Sequence, residues 1–551
     1  MSAPIEPRRG QAASATLRHG AACMALVALT VGAFSNTLWN DFVSYDDWFL
    51  IEENERVRSL SPHSVLVMLT TKEPTSHAWL PLRELSYAVD YRLWGLLPVG
   101  YHLTNVVLHA ANALLAYAVL LWLLRRPALA WLGAAAFALH PAQVESVAWA
   151  SGRRDVLYAF FYLLAFLAFV AHERHSGRRG WVLYGLSLAC LLASLLSKMS
   201  AMTLPAVLVL AVLVSGDGEG RLWERMAATV PHWLLAVGLA AVHTWVAAEA
   251  GVVKGQAFSA GLASVPLIYA EYARLLLFPI HLVAPHGDSA LNWSSHGTLI
   301  LALTLGVVAG VAAAWLAAPR RGLAVFCIGW WLLLLLPVAN LIPISVLVAE
   351  RYLYLPLLGM CGLGAAILGS LMTTRWRKAV AWTCAVAVLA LLGAATHCRN
   401  EAWANSRRFW QDGASKWPGI PLMRIGLATA YTDANDYERA WEQYMMVALT
   451  WGRAASRDPE HVSLVNRGLG KLYDTLARQR EAQGRREAAL EVYETVVRLL
   501  PRDVAARVRL ARAYGRAGMP GKAREQALAA LRLVLRAVHG WRVGGGVGTQ
   551  D

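Results

Sequence analysis

The sequence predicts an all-α polytopic membrane helix bundle followed by a short α-solenoid. Three observations carry that expectation. Hydrophobic residues make up 57% of the 551-residue chain and charged residues only 16%, against about 45–50% and 25% in soluble domains. Mean hydropathy is +0.41. After Cys398 the long apolar runs stop and a spaced Ala/Tyr pattern takes their place. A soluble chain of this length cannot hide so much apolar surface, so the excess must face lipid. A soluble enzyme, a disordered chain and a small disulfide scaffold are excluded.

Taken in order, residues 1–19 read as a cytoplasmic tail carrying Arg8, Arg9 and Arg18. The apolar run from about Gly20 to Leu38 reads as a retained first helix. It is long enough to span, and no small-residue cleavage site stands at its end. The membrane domain is expected over 20–398, with a large non-cytoplasmic first loop at 41–103. Further apolar runs lie near 104–124, 128–147, 156–171, 181–197, 200–214, 229–248, 263–283, 298–317, 323–342, 351–372 and 379–397. Arg125-Arg126, Arg174 with Arg178-Arg179, Arg320-Arg321 and Arg375 with Arg377-Lys378 mark one side, which the positive-inside rule makes cytoplasmic. Residues 41–92 hold nine acids and five bases, which suits the opposite side.

The alternation closes only if one run does not cross. Residues 263–283 carry Glu271 and Arg274, and charge at bilayer depth is costly, so this run is read as re-entrant or interfacial. That leaves about 11 transmembrane helices, counted from span length and loop charge.

Residues 399–539 read as non-cytoplasmic helical repeats, and 540–551 as a disordered tail. Ala489 to Ala523 is one 34-residue step; Ala511, Tyr514, Ala523, Ala527 and Ala530 fit one unit, Ala489, Tyr493 and Pro501 the unit before it. Ala428, Tyr431, Ala440 and Tyr444 fit an earlier one, followed by an insertion. This is the spacing of tetratricopeptide repeats, in which small residues let paired helices approach closely.

The net charge of +15 is not a nucleic-acid signal: +9 falls from Cys398 to Asp551 and +6 on the membrane part, where arginines mark loops. Cys23, Cys190, Cys327, Cys361, Cys384 and Cys398 form no CxxC pair, so neither a zinc site nor a redox motif is indicated.

Five polar clusters interrupt the apolar pattern. The first is Tyr45-Asp46-Asp47, just beyond the first helix. The second holds Trp79-Leu80-Pro81-Leu82-Arg83 and Asp90-Tyr91 and runs on to Gly100-Tyr101-His102-Leu103-Thr104-Asn105. The third is His140-Pro141 with Glu145, then Gly152-Arg153-Arg154-Asp155. The fourth is Ser197-Lys198, and the fifth is Glu350-Arg351-Tyr352. In the derived topology all five meet at the non-cytoplasmic helix ends. Each has a bland reading: Asp46 and Asp47 as solvated turn residues, Arg153 or Arg154 pairing with Asp155, Glu350 with Arg351 as a structural ion pair, His140 as an interfacial histidine, Lys198 snorkelling. Their convergence on one face favours chemistry.

These stretches, with the repeat tail, resemble the GT-C superfamily of membrane glycosyltransferases. The closer resemblance is to the transmembrane-and-tetratricopeptide protein O-mannosyltransferase family and its bacterial relatives. One departure is that relatives carry Tyr-Arg-Pro-Leu where this chain has Trp79-Leu80-Pro81-Leu82.

The resemblance implies transfer of mannose or another hexose from a polyprenyl-phosphate-linked donor to a hydroxyl, with a protein as acceptor. It places the reaction on the luminal or periplasmic face, which for a bacterial chain means the inner membrane with active site and repeats periplasmic. Asp46 or Asp47 would be the base. Arg153, Arg154, Lys198 and Arg351 would receive the donor phosphate. Tyr45, Arg83, His102, His140, Glu145, Asp155, Glu350 and Tyr352 would support them. A divalent cation at Asp46 and Asp47 is conceivable, but no His or carboxylate cluster completes its coordination, so no metal is assigned. The alternative is a non-catalytic, membrane-anchored repeat scaffold for envelope or polysaccharide assembly. A transporter ranks last, because no inverted halves are visible.

Overall fold

The computed structural model describes residues 8–75, 78–215, 222–249, 258–283, 321–341, 346–451, 486–499 and 504–544, with isolated positions 306, 312, 316, 476, 480 and 484. The chain divides after Phe409 into two units. Every regular element among the described residues is helical.

In the first unit, proline opens several helices. Pro62, Pro81, Pro98 and Pro127 each stand in a first turn, where the missing N–H costs nothing. Among the described residues, six helical segments are long and apolar enough to cross a membrane: Pro98–Leu124, Ala150–His172, Gly177–Ser197, Leu222–Val246, Arg321–Val338 and Arg375–Trp403. Four shorter apolar helices among them are Leu17–Ala33, Pro127–Leu139, Met199–Ser215 and Leu357–Leu371. The chain is therefore an integral, multi-pass membrane protein.

The expected run at 128–147 is not one helix. It stops at Leu139, after 13 residues, which at 1.5 Å per residue cover only about 20 Å. Pro141 is the cause: it holds His140 in extended conformation and cannot continue the helical ladder. The chain then turns through Pro141–Gln143, Val144–Ala148 and Ala150–Gly152, all buried. A folded-in polar turn thus replaces the far half of the expected span.

The segment expected not to cross overlaps the helix Phe258–Leu277, which has Pro266 inside it and is not among the six. Its Glu271 and Arg274 form a two-contact ion pair at 2.6 and 2.9 Å. The run expected at 298–317 lies outside the described residues apart from isolated positions.

Small residues let the first unit pack closely. A Cβ on Gly133 would stand 2.7 Å from Leu120 and 3.2 Å from the Cys361 carbonyl, and one on Gly359 would stand 2.6 Å from the Cys327 carbonyl. Glycine there brings backbones together, as membrane helices require.

In the second unit, Pro421–Asp433 packs on Tyr437–Trp451, and Val504–Arg516 packs on both Arg486–Leu499 and Pro520–Gly544. Ala428, Tyr431, Ala440, Tyr444, Ala489, Tyr493, Tyr514 and Ala530 are buried; Ala511 and Ala523 are half-buried and Ala527 is exposed. The last helix has no successor among the described residues to cover it. It reaches Gly544, so the expected disorder from residue 540 is corrected for 540–544; Gly540 and Gly544 are tolerated in the last turns of a long helix. Pro501 and the insertion near 452–475 lie outside the described residues.

Candidate active site

The buried turn Pro141–Gly152 organises the polar groups of the first unit. Asn105, from the Pro98–Leu124 helix, donates through Nδ2 to the carbonyls of Val147 (3.3 Å), Trp149 (2.8 Å) and Ala150 (3.4 Å). Gly152 lets the turn close, because a Cβ there would stand 2.6 Å from the Ser146 carbonyl oxygen and 2.8 Å from that of Glu145.

Arg153 starts the next helix, and it differs from its expected role. It is fully buried, and its guanidinium donates to Asn105 Oδ1, Ser86 Oγ, Asp90 Oδ2 at 2.6 Å and the Tyr101 carbonyl at 2.9 Å. Its cation also faces the Tyr87 ring at 5.5 Å. A guanidinium with these partners is a clamp between helices and has little left for a phosphate.

Arg154, one residue on, points elsewhere. Its side chain is 22% exposed, and it lies 3.7 Å from Asp155 and 5.9 Å from the Trp149 ring. Asp155 is buried and binds Lys198 Nζ. Lys198 follows the Gly177–Ser197 helix in extended backbone, and its ammonium sits 5.2 Å from the rings of Tyr158 and Tyr352.

Arg351 donates to Glu145 through its backbone N–H (2.8 Å) and through Nη1. Its guanidinium lies 5.1 Å from the Tyr352 ring and 5.8 Å from Trp149. The sequence-adjacent Glu350 does not pair with Arg351; it lies 3.6 Å from Arg399. Neighbours in an extended-to-3₁₀ turn point to different faces, so each finds its partner in a different helix.

The two acidic neighbours of the first loop separate sharply. Asp47 is fully buried: Oδ2 accepts the Val43 N–H at 2.9 Å, and Oδ1 accepts both the N–H (2.9 Å) and the hydroxyl of Ser151. Burial nevertheless pushes its carboxyl up to about 7. Asp46 is only half-buried, and its carboxylate has no hydrogen bond or ion pair among the described residues. Burial raises its pKa, while the charges of Arg154, Arg351 and Arg83 pull the other way. Asp46 thus lies in the field of three cations with an unengaged carboxylate. Among the described residues no three His, Cys, Asp or Glu gather as a metal cage.

Aromatic rings wall this region. Tyr45 lies 5.3 Å from Trp149 and 5.6 Å from Phe409, and Trp149 stacks on Trp403 at 5.7 Å.

Arg83 is buried in the field of Glu84, Glu73, Asp46 and Arg154, and among the described residues its Nε and Nη2 have no hydrogen-bond partner. Two histidines stand apart from this chemistry. His140 accepts the Ala142 N–H at 3.2 Å and reaches the Leu276 carbonyl at 3.1 Å, and burial pushes its imidazole down to about 4. It caps the turn as a neutral ring. His102 is buried in the first turns of its helix.

The structure therefore gathers Tyr45, Asp46, Arg83, Glu145, Arg154, Asp155, Lys198, Arg351 and Tyr352. Asp47, Arg153, His140 and Glu350 are engaged by contacts within the fold. Sequence reasoning did not single out Ser151 or Tyr87, and it placed Asp90 in the second polar cluster without a role. Asp90 had a signal, as an acid on the Pro81–Trp94 helix between Arg83 and Arg92; Ser151 had none.

No family model matches the chain. It is similar to protein O-mannosyl-transferase Tmtc3 of Drosophila melanogaster, 24% identical over 85% of this chain and 54% of that protein. It is similar to TMTC3 of Mus musculus, 23% identical over 83% and 53%. A shorter stretch is 36% identical to Tmtc1 of Drosophila melanogaster, covering 34% of this chain and 23% of that one. The chain spans about half the length of the Tmtc3 relatives it matches. Among solved structures it is similar to ArnT from Cupriavidus metallidurans bound to undecaprenyl phosphate, at 14% identity over 94% of this chain and 78% of that one, with a TM-score of 0.35, a slight likeness.

Proposed function

We propose that the chain is a membrane glycosyltransferase that moves a hexose, mannose in the first instance, from a polyprenyl-phosphate donor to a hydroxyl of a protein acceptor. The observation that carries this reading is the Asp46 carboxylate, unengaged and surrounded by cations beside the helix ends. The names of the relatives support the reaction class.

In the proposed step Asp46 accepts the proton of the acceptor hydroxyl. The oxygen forms a bond to the anomeric carbon as the bond from that carbon to the phosphate oxygen breaks. The bonding pair leaves on the phosphate. In-line displacement inverts the anomeric centre. The electron pair needs positive charge at the bilayer edge, supplied by Arg154, Lys198 and Arg351. Asp47 acts through position: it ties the first loop to the Ser151 turn and so presents Asp46. The reading places this face and the repeat unit in the bacterial periplasm, with the repeats engaging the protein acceptor.

The test uses the full chain in lipid nanodiscs with radiolabelled polyprenyl-phosphate mannose and a Ser/Thr-rich peptide. Label transferred to the peptide supports the reading. No transfer from any polyprenyl-phosphate hexose, together with capture of envelope proteins through the repeats, would favour the scaffold alternative.

A further inference from the structure

The opposite ends of the same helices carry a second polar cavity. Its volume is about 670 Å³, within the range of small-ligand sites. Four helix ends meet there. Arg125 follows Pro98–Leu124, Arg174 follows Arg153–His172, Ser215 ends Leu204–Ser215, and Leu323 stands in the first turn of Arg321–Leu335. The 20 residues of Arg153–His172 span about 30 Å, which separates this cavity from Arg154 and the Asp46 region.

The charges around this cavity are unevenly engaged. Glu173 is held by Arg225, through Nε at 2.6 Å and Nη2 at 3.1 Å. Arg125 and Arg174 line the cavity and are exposed, and among the described residues neither side chain has a hydrogen bond or an ion pair. Glu224 also lines it, so three arginines face two carboxylates, and Arg126 and Arg321 adjoin the lining in sequence. The backbone of Arg125 has φ 54°, in the left-handed region that glycine or asparagine usually fills at a helix end. Holding a β-carbon there is strained, so a guanidinium at this point answers to more than ending the helix.

Exposed indoles mark the depth of the cavity mouth. Trp223, next to Glu224, is 82% exposed. Trp181 and Trp376, in the first turns of Gly177–Ser197 and Arg375–Asn400, are exposed as well. Tryptophans at helix ends beside arginines belong to the lipid headgroup layer. Trp122 and Leu323 add an apolar wall to the cavity. We propose that the cavity binds the headgroup phosphate of an anionic phospholipid from the leaflet on this side. Arg125 and Arg174 donate to the phosphate oxygens, and the apolar wall receives the start of the acyl chains. The bound lipid ties four helix ends together. The site takes no part in hexose transfer and stands independently of the function proposed above.

The experiment titrates fluorescent phosphatidylglycerol into the full chain in maltoside detergent. The double variant Arg125→Asn/Arg174→Gln is expected to weaken binding at least about tenfold; asparagine tolerates the left-handed backbone. Arg174→Gln alone, which leaves Arg125 untouched, should weaken it about fivefold. Arg178→Gln/Arg179→Gln removes two exposed arginines of the same face that do not line the cavity, and it should bind as the parent does. Thermal unfolding is read in parallel. Without lipid all variants should unfold at the parental temperature, because the replaced side chains are exposed. Phosphatidylglycerol should raise that temperature for the parent and for Arg178→Gln/Arg179→Gln, but not for Arg125→Asn/Arg174→Gln. Parental binding by Arg125→Asn/Arg174→Gln and by Arg174→Gln would overturn the inference. An equal loss in Arg178→Gln/Arg179→Gln would overturn it too, since it would mark diffuse surface charge in place of a built site. Displacement of the lipid by an equal concentration of inorganic phosphate would overturn the lipid as the source and assign the cavity to a soluble anion.

Discussion

Ser151 and Asp47, 104 residues apart in sequence, meet at a single oxygen: the backbone N–H and the hydroxyl of Ser151 both donate to Asp47 Oδ1. The other carboxylate oxygen accepts the Val43 N–H. Asp47 therefore fastens the first loop to the buried turn and leaves its neighbour Asp46 facing the cations. Asp47→Ala strands these buried donors and should destabilise the protein by about 1–3 kcal/mol. Thermal unfolding in detergent checks this; Ser151→Ala should give a smaller loss of the same sign.

The same carboxyl gives a pH signature. Burial holds Asp47 at about 7 and Glu84 also at about 7, against ordinary values near 4. Between about pH 4 and 7 the folded state therefore binds more protons at these groups than the unfolded chain does. Their contribution to stability is full below the unfolded value and falls as pH rises through that window. The unfolding temperature of Asp47→Asn should accordingly vary less with pH from 4 to 7 than that of the parent. An unchanged or steeper dependence would contradict the burial argument.

Arg153 and Asp90 should behave as a coupled structural pair. Arg153→Ala leaves a buried carboxylate uncompensated and should cost about 3–5 kcal/mol. Adding Asp90→Asn should recover part of that loss, because the stranded charge is removed. A double-mutant cycle on unfolding measures the coupling; additive losses would show that the pair does not interact.

Gly152→Ala should distort the turn. The added methyl would meet two backbone oxygens under 3 Å, and backbone cannot swing aside as a side chain can. About 1–3 kcal/mol of destabilisation is expected, together with lowered transfer. Gly185→Ala, with nothing within 4 Å of the added carbon, is the control.

The apolar runs and loop charges made the membrane bundle legible, since span length and hydropathy are local properties. The grouping of Asp46, Glu145, Arg154, Lys198 and Arg351 was legible as well, because each interrupts an apolar run near the same helix ends. Their division of labour was not. Arg153 and Arg154 are adjacent and identical in chemistry, and only the helix phase sends one inward to Asp90 and the other toward Asp46. Asp46 and Asp47 pose the same problem; Ser151, which separates their roles, is an ordinary serine in sequence. The break at His140-Pro141 was visible as a proline, yet the depth at which the following turn is buried depends on Asn105, from another helix.

The measurement that bears most directly on the whole account is single-turnover hexose transfer by Asp46→Asn in nanodiscs loaded with polyprenyl-phosphate mannose. Removing a positioned general base should slow transfer by about 10²–10⁴-fold, with donor binding and unfolding temperature close to those of the parent. Transfer by Asp46→Asn at the parental rate would contradict the assignment of Asp46 and the mechanism built on it.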